Sequence, residues 1–270
     1  MTAWSKGTVQ VNDLTIHYHR TGGEHKPKML LLHGVMDNGL CWTPVARDLQ
    51  DQFDIIMPDA RGHGETQGSI ENASFTTLAN DVAGLVQALN LEKPYLFGHS
   101  MGAMTALAVA ALYPELPHAI LLEDPPFWTE QAARSADVDN ETANFMKTFV
   151  SLRELPWDVL LAKAREFNPK WDEVELEPWA QSKRQFAPDI MEKLTFDLDW
   201  QELLPRVACP ILLLTGDVEE HAITTPEGAQ KASQLWKNGT LAHIPGAGHC
   251  IHRDCYAASM TAVRAFLKDH

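Results

Sequence analysis

Pro94-Tyr95-Leu96-Phe97-Gly98-His99-Ser100-Met101-Gly102-Ala103-Met104 is the stretch on which the reading of this chain turns. A short apolar run passes into G-x-S-x-G, after which Met104, Leu107, Ala108, Ala111 and Leu112 recur at helical spacing. The pattern is strand, sharp turn, helix. Such a turn holds its serine at the tip of a bend, over a helix N-terminus, with the hydroxyl exposed. Glycines flank it because a Cβ there would collide with the neighbouring strand and helix. Ser100 is therefore a candidate nucleophile. A serine hydroxyl is weak at neutral pH and needs a base, so its partners have to come from elsewhere in the chain.

Working outward, residues 9–11 and 14–19 flank the turn dipeptide Asn12-Asp13 and predict an antiparallel hairpin. Residues 29–32, 53–57, 95–97, 119–122, 211–214 and 241–244 are short continuous apolar runs, the pattern of strands buried on both faces. Between them, residues 43–49 (with Pro44 in the first turn), the periodic set Leu78, Val82, Leu85, Val86 and Leu89, and residues 256–267 read as helices. The alternation predicts an α/β fold with a parallel sheet covered on both sides. Functional residues should then gather at the C-terminal strand ends, where His33, Asp59, Ser100, Asp124, Asp217, Glu219 and His249 all fall.

Residues 127–205 break this rhythm. They carry helical periodicity, many charges and Trp128, Trp157, Trp171, Trp179 and Trp200, but no clear buried strand. They are read as a helical cap inserted into a core made of residues 1–126 and 206–270. Some of Phe127, Trp128, Trp157 and Trp179 should line an apolar cleft.

Composition narrows the partners. A net charge of -14, from 22 basic and 36 acidic residues, argues against nucleic acid and anionic membrane surfaces as partners and does not identify a substrate. No run approaches the roughly 18 apolar residues of a membrane span, and the first residues lack a signal-peptide core. Cys41, Cys209, Cys250 and Cys255 form no C-x-x-C and no zinc spacing. A cytoplasmic location is the expectation, and Cys250 reads as filler beside His249.

Leu32-His33-Gly34, Asp59-Ala60-Arg61-Gly62-His63-Gly64, Gly98-His99-Ser100-Met101-Gly102 and Pro245-Gly246-Ala247-Gly248-His249 occur in that order. Together they resemble the α/β-hydrolase superfamily, in its compact capped branch of esterases and lactonases, over about residues 8–268. The resemblance implies a mostly parallel eight-stranded sheet and acyl transfer to Ser100, with His249 as base and no metal or organic cofactor. It implies an oxyanion hole from the backbone N–H groups of Met101 and of a residue after His33-Gly34, best matched by Val35. Asp59 and Arg61 would tie their loop together, His33 would be structural, and His252 would lie on the surface.

The acid that orients His249 stays open between two positions. The superfamily usually takes it three residues after the glycine ending the seventh strand, here Gly216, which points to Glu219. Some branches take it from the sixth strand, here Asp124. Glu123 and Asp217 are lesser candidates. The activity the resemblance implies is hydrolysis of a small-molecule substrate, a carboxylic ester or lactone. Carbon–carbon bond hydrolases, perhydrolases and amide-cleaving enzymes share the same constellation, and a receptor that has kept the fold is a further alternative.

Overall fold

The alternation of apolar runs and amphipathic stretches becomes a single eight-stranded sheet in the computed structural model, which describes residues 4–128 and 147–270. The strands are β1 (Ser5–Val11), β2 (Leu14–Arg20), β3 (Lys28–Leu32), β4 (Asp54–Pro58), β5 (Tyr95–His99), β6 (Ala119–Glu123), β7 (Ile211–Thr215) and β8 (Gly239–His243). Their order is β1-β2-β4-β3-β5-β6-β7-β8. β1 and β2 form the expected antiparallel hairpin, with Asn12 at φ +52° in its turn, and β2 pairs antiparallel with β4. The other pairings are parallel. β8 starts two residues earlier than its apolar run suggests; it is an edge strand with exposed positions, so hydrophobicity marks its limits poorly.

Because side chains alternate along each central strand, the core divides between the two faces of the sheet. Leu30, Leu32, Leu96, Ile120 and Leu213 pack under helices Phe75–Ala88 and Met101–Leu112. Met29, Leu31, Phe97, Leu121 and Leu212 pack under helices Thr43–Leu49 and Tyr256–Asp269. Helix Met101–Leu112 is apolar on every side and buried from Met101 to Ala111, which suits a helix wedged between the sheet and its neighbours.

The parallel register decides which loops meet. Leu32 lies opposite Gly98, Gly98 opposite Leu122, and His99 opposite Glu123. The residues that follow, His33-Gly34, Ser100 and Asp124, therefore leave the sheet side by side.

Between β6 and β7, residues 147–152 are helical, followed by helices Trp157–Phe167, Glu173–Gln185, Ile190–Lys193 and Trp200–Leu203. Leu152, Leu160, Ala164, Trp171, Leu176, Trp179 and Ala180 form a separate apolar cluster there. Of the expected cap, residues 129–146 lie outside the described residues. Its two ends belong to the main core: Phe127 is fully buried and stacks on Trp200 at 4.6 Å, with Leu203 and Leu204 beside them. Among the described residues no helix is long and apolar enough to cross a membrane.

Gly102 sets how closely helix Met101–Leu112 seats on β3. A Cβ on it would overlap the carbonyl oxygens of Leu32 and His33, which are backbone and cannot swing away. Gly102→Ala should destabilise the protein by about 1–3 kcal/mol, as overpacking does, and be read as a lower urea midpoint.

Candidate active site

Ser100 sits between β5 and helix Met101–Leu112 at φ +52° and ψ -113°, a conformation that non-glycine residues rarely adopt. Its amide donates to Glu123 O at 2.9 Å and its carbonyl accepts from Met104 N at 3.0 Å, so the bend is bonded on both sides. Gly98 makes the bend possible, since a Cβ on it would run into the backbone of Gly102 and Ala103.

His249 is half-buried in the loop after β8, and its Nδ1–H donates to Asp124 Oδ2 at 2.7 Å. Asp124 is wholly buried just beyond β6, at φ +42°. Its carboxylate also accepts the Ile223 amide at 2.8 Å and the Thr224 amide at 2.9 Å. Of the two carboxylates the sequence left open, Asp124 is the one that meets His249. Glu219, the position favoured by its distance from Gly216, is instead on an exposed turn within residues 218–220 and makes no hydrogen bond or ion pair among the described residues. The reason is the course of the β7 loop. It turns through His221 at φ +74° and brings two backbone amides, not a carboxylate, to the strand end.

The lesser candidates have other partners. Glu123 is buried against His252, whose Nδ1–H lies 2.8 Å from its oxygens and whose amide donates at 3.1 Å. His252 is thus buried and stacked on Trp42 at 4.3 Å, not on the surface as expected. Asp217 accepts the Gly246 amide at 2.7 Å and pairs with His243 at 2.9 Å. Asp59 accepts from His17 and from the Gly39 and Glu65 amides. It does not pair with Arg61, which reaches away to Asp13 and Asp81.

His33 and Gly34 open the loop that carries the expected second oxyanion donor. His33 donates through Nδ1 to Gly34 O at 2.7 Å and accepts the Ala60 amide on Nε2 at 3.0 Å, so its role there is structural. The Met36 amide donates to His63 Nε2 at 3.0 Å. The Val35 and Met101 amides donate to no other group among the described residues. Val35, Ser100 and His249 line one cavity of about 450 Å³. No hydrogen bond joins Ser100 to His249 in this structure; in ligand-free sites such bonds are commonly long and tighten when substrate arrives.

Residues 27–254 match the family described as the alpha/beta hydrolase fold. The chain belongs to that family. It is 25% identical over 272 residues to 2-(acetamidomethylene)succinate hydrolase of Mesorhizobium japonicum, covering 96% of this chain and 94% of that one. It is 26% identical over 269 residues to N-formylmaleamate deformylase of Pseudomonas putida, covering 98% and 96%. Among solved structures it resembles Est816, described as an N-acyl homoserine lactone degrading enzyme, with a TM-score of 0.77, 20% identity, and coverage of 96% and 100%.

In this α/β hydrolase the cavity wall is mixed. Phe149, Phe167, Trp171 and Trp179 supply its apolar side. Of the aromatics expected there only Trp179 takes part; Phe127 is drawn into the core, while Trp128 is partly exposed and Trp157 packs under Arg184. Cys250 also lines the cavity, with its thiol pushed well up by burial. Asp37, His99, Lys183 and Arg253 complete the wall, and sequence reasoning singled out none of them. His99 was the most accessible, being the variable position beside the nucleophile. It is buried, and its Nε2–H donates to the His249 carbonyl at 2.9 Å.

The buried histidines make stability depend on pH in a definite direction. Burial pushes His63 and His99 down to about 3 and lowers His33 as well. The unfolded chain therefore takes up these protons first, so their stabilisation is complete above about pH 6.5 and drains away below it, by up to about 1.4 kcal/mol per pH unit for each group. His17 and His249, both raised, act oppositely and lose their contribution as pH rises through their folded values. The urea midpoint should thus fall as pH is lowered from 6.5 to 5, and His63→Gln should flatten that slope.

Proposed function

We propose that this protein is a serine hydrolase that transfers the acyl group of a carboxylic ester or lactone first to Ser100 and then to water. The observation that carries this reading is the 2.7 Å bond from His249 Nδ1 to a buried carboxylate anchored by two backbone amides. That bond fixes the tautomer: the proton is on Nδ1, so Nε2 is left with the lone pair a base needs.

Ser100 Oγ then attacks the carbonyl carbon as its proton passes to His249 Nε2. The Oγ–C bond forms, and the carbonyl oxygen becomes an oxyanion facing the Val35 and Met101 amides. Collapse breaks the bond to the alcohol oxygen, which takes the proton back from His249. Water, deprotonated by the same imidazole, repeats the sequence and releases the acid. Asp124 is the third member, keeping the imidazole oriented and offsetting the charge it acquires. The helices between β6 and β7 act as a lid over this cavity. A small or medium apolar group suits its aromatic side.

An amide-type acyl bond is the second reading. It is favoured by the likeness over nearly the whole chain to two enzymes whose names specify an acetamido compound and an N-formyl compound. A panel of p-nitrophenyl esters, lactones and anilides separates the two by relative kcat/KM.

Ser100→Ala should abolish turnover and labelling by a fluorophosphonate while the protein remains folded. Asp124→Asn should lower kcat by about 10³–10⁴-fold, and Glu219→Ala should change it less than about twofold. The reverse order for the two acids would overturn the assignment.

The pH profile follows from the same bond. Burial, the largest single influence on His249, opposes its charge, but Asp124, aided by Glu123 and Asp37, outweighs it and raises the group above its ordinary value. His249 must be neutral to act as base. The acid limb of kcat/KM should therefore lie above about pH 6.5 and move to lower pH in Asp124→Asn.

A further inference from the structure

Four buried charged side chains run in alternating sign from the inserted helices into the core and back. Lys183, on helix Glu173–Gln185, lies 3.2 Å from Asp37 Oδ1. The other oxygen of Asp37 is 3.1 Å from Arg253, and Arg253 Nε is 2.7 Å from Glu175 Oε2, about two turns earlier in the same inserted helix. Arg253 also donates to Cys41 O at 3.0 Å and stacks on Trp171 at 4.4 Å. Arg253 and Lys183 together hold the Asp37 carboxyl well below the usual carboxylate range although burial opposes its charge, so Asp37 stays ionised in mildly acidic solution.

Lys183 borders the cavity that holds Ser100 and His249, and a lysine there invites the idea of a counter-charge for an anionic substrate. The donor count argues otherwise. An ammonium has three protons. Here three acceptors surround it: Met36 O at 2.8 Å, Asp37 Oδ1 at 3.2 Å and Ser182 Oγ at 3.2 Å. The rings of Trp179, at 4.8 Å, and Phe149, at 5.6 Å, cover it further. Its hydrogen-bonding capacity is spent on the protein.

Two of those bonds, to Met36 O and Asp37 Oδ1, fall on one turn. The Asp37 amide donates to Gly34 O at 3.2 Å and Met36 is at φ +64°, which makes Gly34–Asp37 a type II-like turn with a methionine in the place that favours glycine. Non-glycine residues rarely adopt such a conformation, and it persists only where its surroundings impose it. Met36 is held from two sides, its N–H by His63 of the core and its C=O by Lys183 of the inserted helix. The peptide plane that carries the Val35 N–H is the one whose oxygen, on Gly34, closes the turn.

We propose that Lys183 is a positioning residue that clamps the Met36–Asp37 side of the Gly34–Asp37 turn, so that docking of the inserted helices on the core sharpens the aim of the Val35 oxyanion donor, whose peptide His33 holds from the other side at Gly34 O. The proposal rests on the serine-hydrolase reading above for its catalytic consequence, but the clamp itself can be measured without activity.

The test is Lys183→Met, with Lys183→Gln, which keeps one donor toward Met36 O, read by the same measures should the first variant fail to fold. With neutral p-nitrophenyl esters, kcat should fall about 10- to 100-fold while KM stays within about threefold, as for a misaligned oxyanion donor. Hydrogen exchange at the Met36 and Asp37 amides should quicken by about tenfold or more, with residues 98–102 unchanged. An unchanged kcat in a folded variant would overturn the proposal, and so would unaltered exchange at Met36 and Asp37. A rise in KM confined to carboxylate-bearing esters would also overturn it, by showing that Lys183 meets substrate instead. If the wild type neither turns over acyl substrates nor labels at Ser100, the hydrolase reading fails, and the exchange measurement still decides the clamp.

Discussion

The arrangement depends on one close approach. Helix Met101–Leu112 starts directly out of β5 and presses against the end of β3 with no side chain between them, because Gly98 and Gly102 leave room only for backbone. That seating forces Ser100 into its left-handed bend, frees the Met101 amide at the helix start, and brings β3, β5 and β6 level at their C-terminal ends. A tilt of the helix by the width of a methyl group would disturb all three together. The fold tolerates a strained serine there because helix burial and bonds on both sides of the bend over-determine it.

Around that bend, polar groups are buried in matched sets. Asp124 takes His249 and two loop amides, Glu123 takes His252, and Asp59 takes His17 and two more amides. A buried carboxylate without such partners would be strongly destabilising, so each strand-end acid brings its own loop into register. His33 and His63 play the complementary part as neutral rings, each donating with one nitrogen and accepting a backbone amide with the other. Burial keeps them neutral, which is what lets one nitrogen accept.

The charges shared by Lys183, Asp37, Arg253 and Glu175 obey a different economy. Burying ion pairs yields little net stability over a well-packed apolar contact, but removing one partner typically costs about 3–5 kcal/mol. Such a network specifies geometry more than it adds stability. In this chain it joins one inserted helix to the loop after β3.

The order of strands and helices, the serine at its bend and the late histidine were legible in the sequence because each has a local cause: apolar runs of strand length, glycines that permit close approach, and turn dipeptides. The partnership of His249 was not. Asp124 and Glu219 both stand near strand ends, and only the path of the β7 loop, which delivers amides and turns Glu219 outward, separates them. The burial of His252 and the service of Lys183 and Arg253 at the cavity were equally hidden. Each joins residues far apart in the chain, and a long charged side chain carries no sequence mark of whether it ends in solvent or in a carboxylate. Local sterics decided the elements and the bend; long-range packing chose the partners, because a hydrogen bond is specified by where two groups end up in space and not by what either one is.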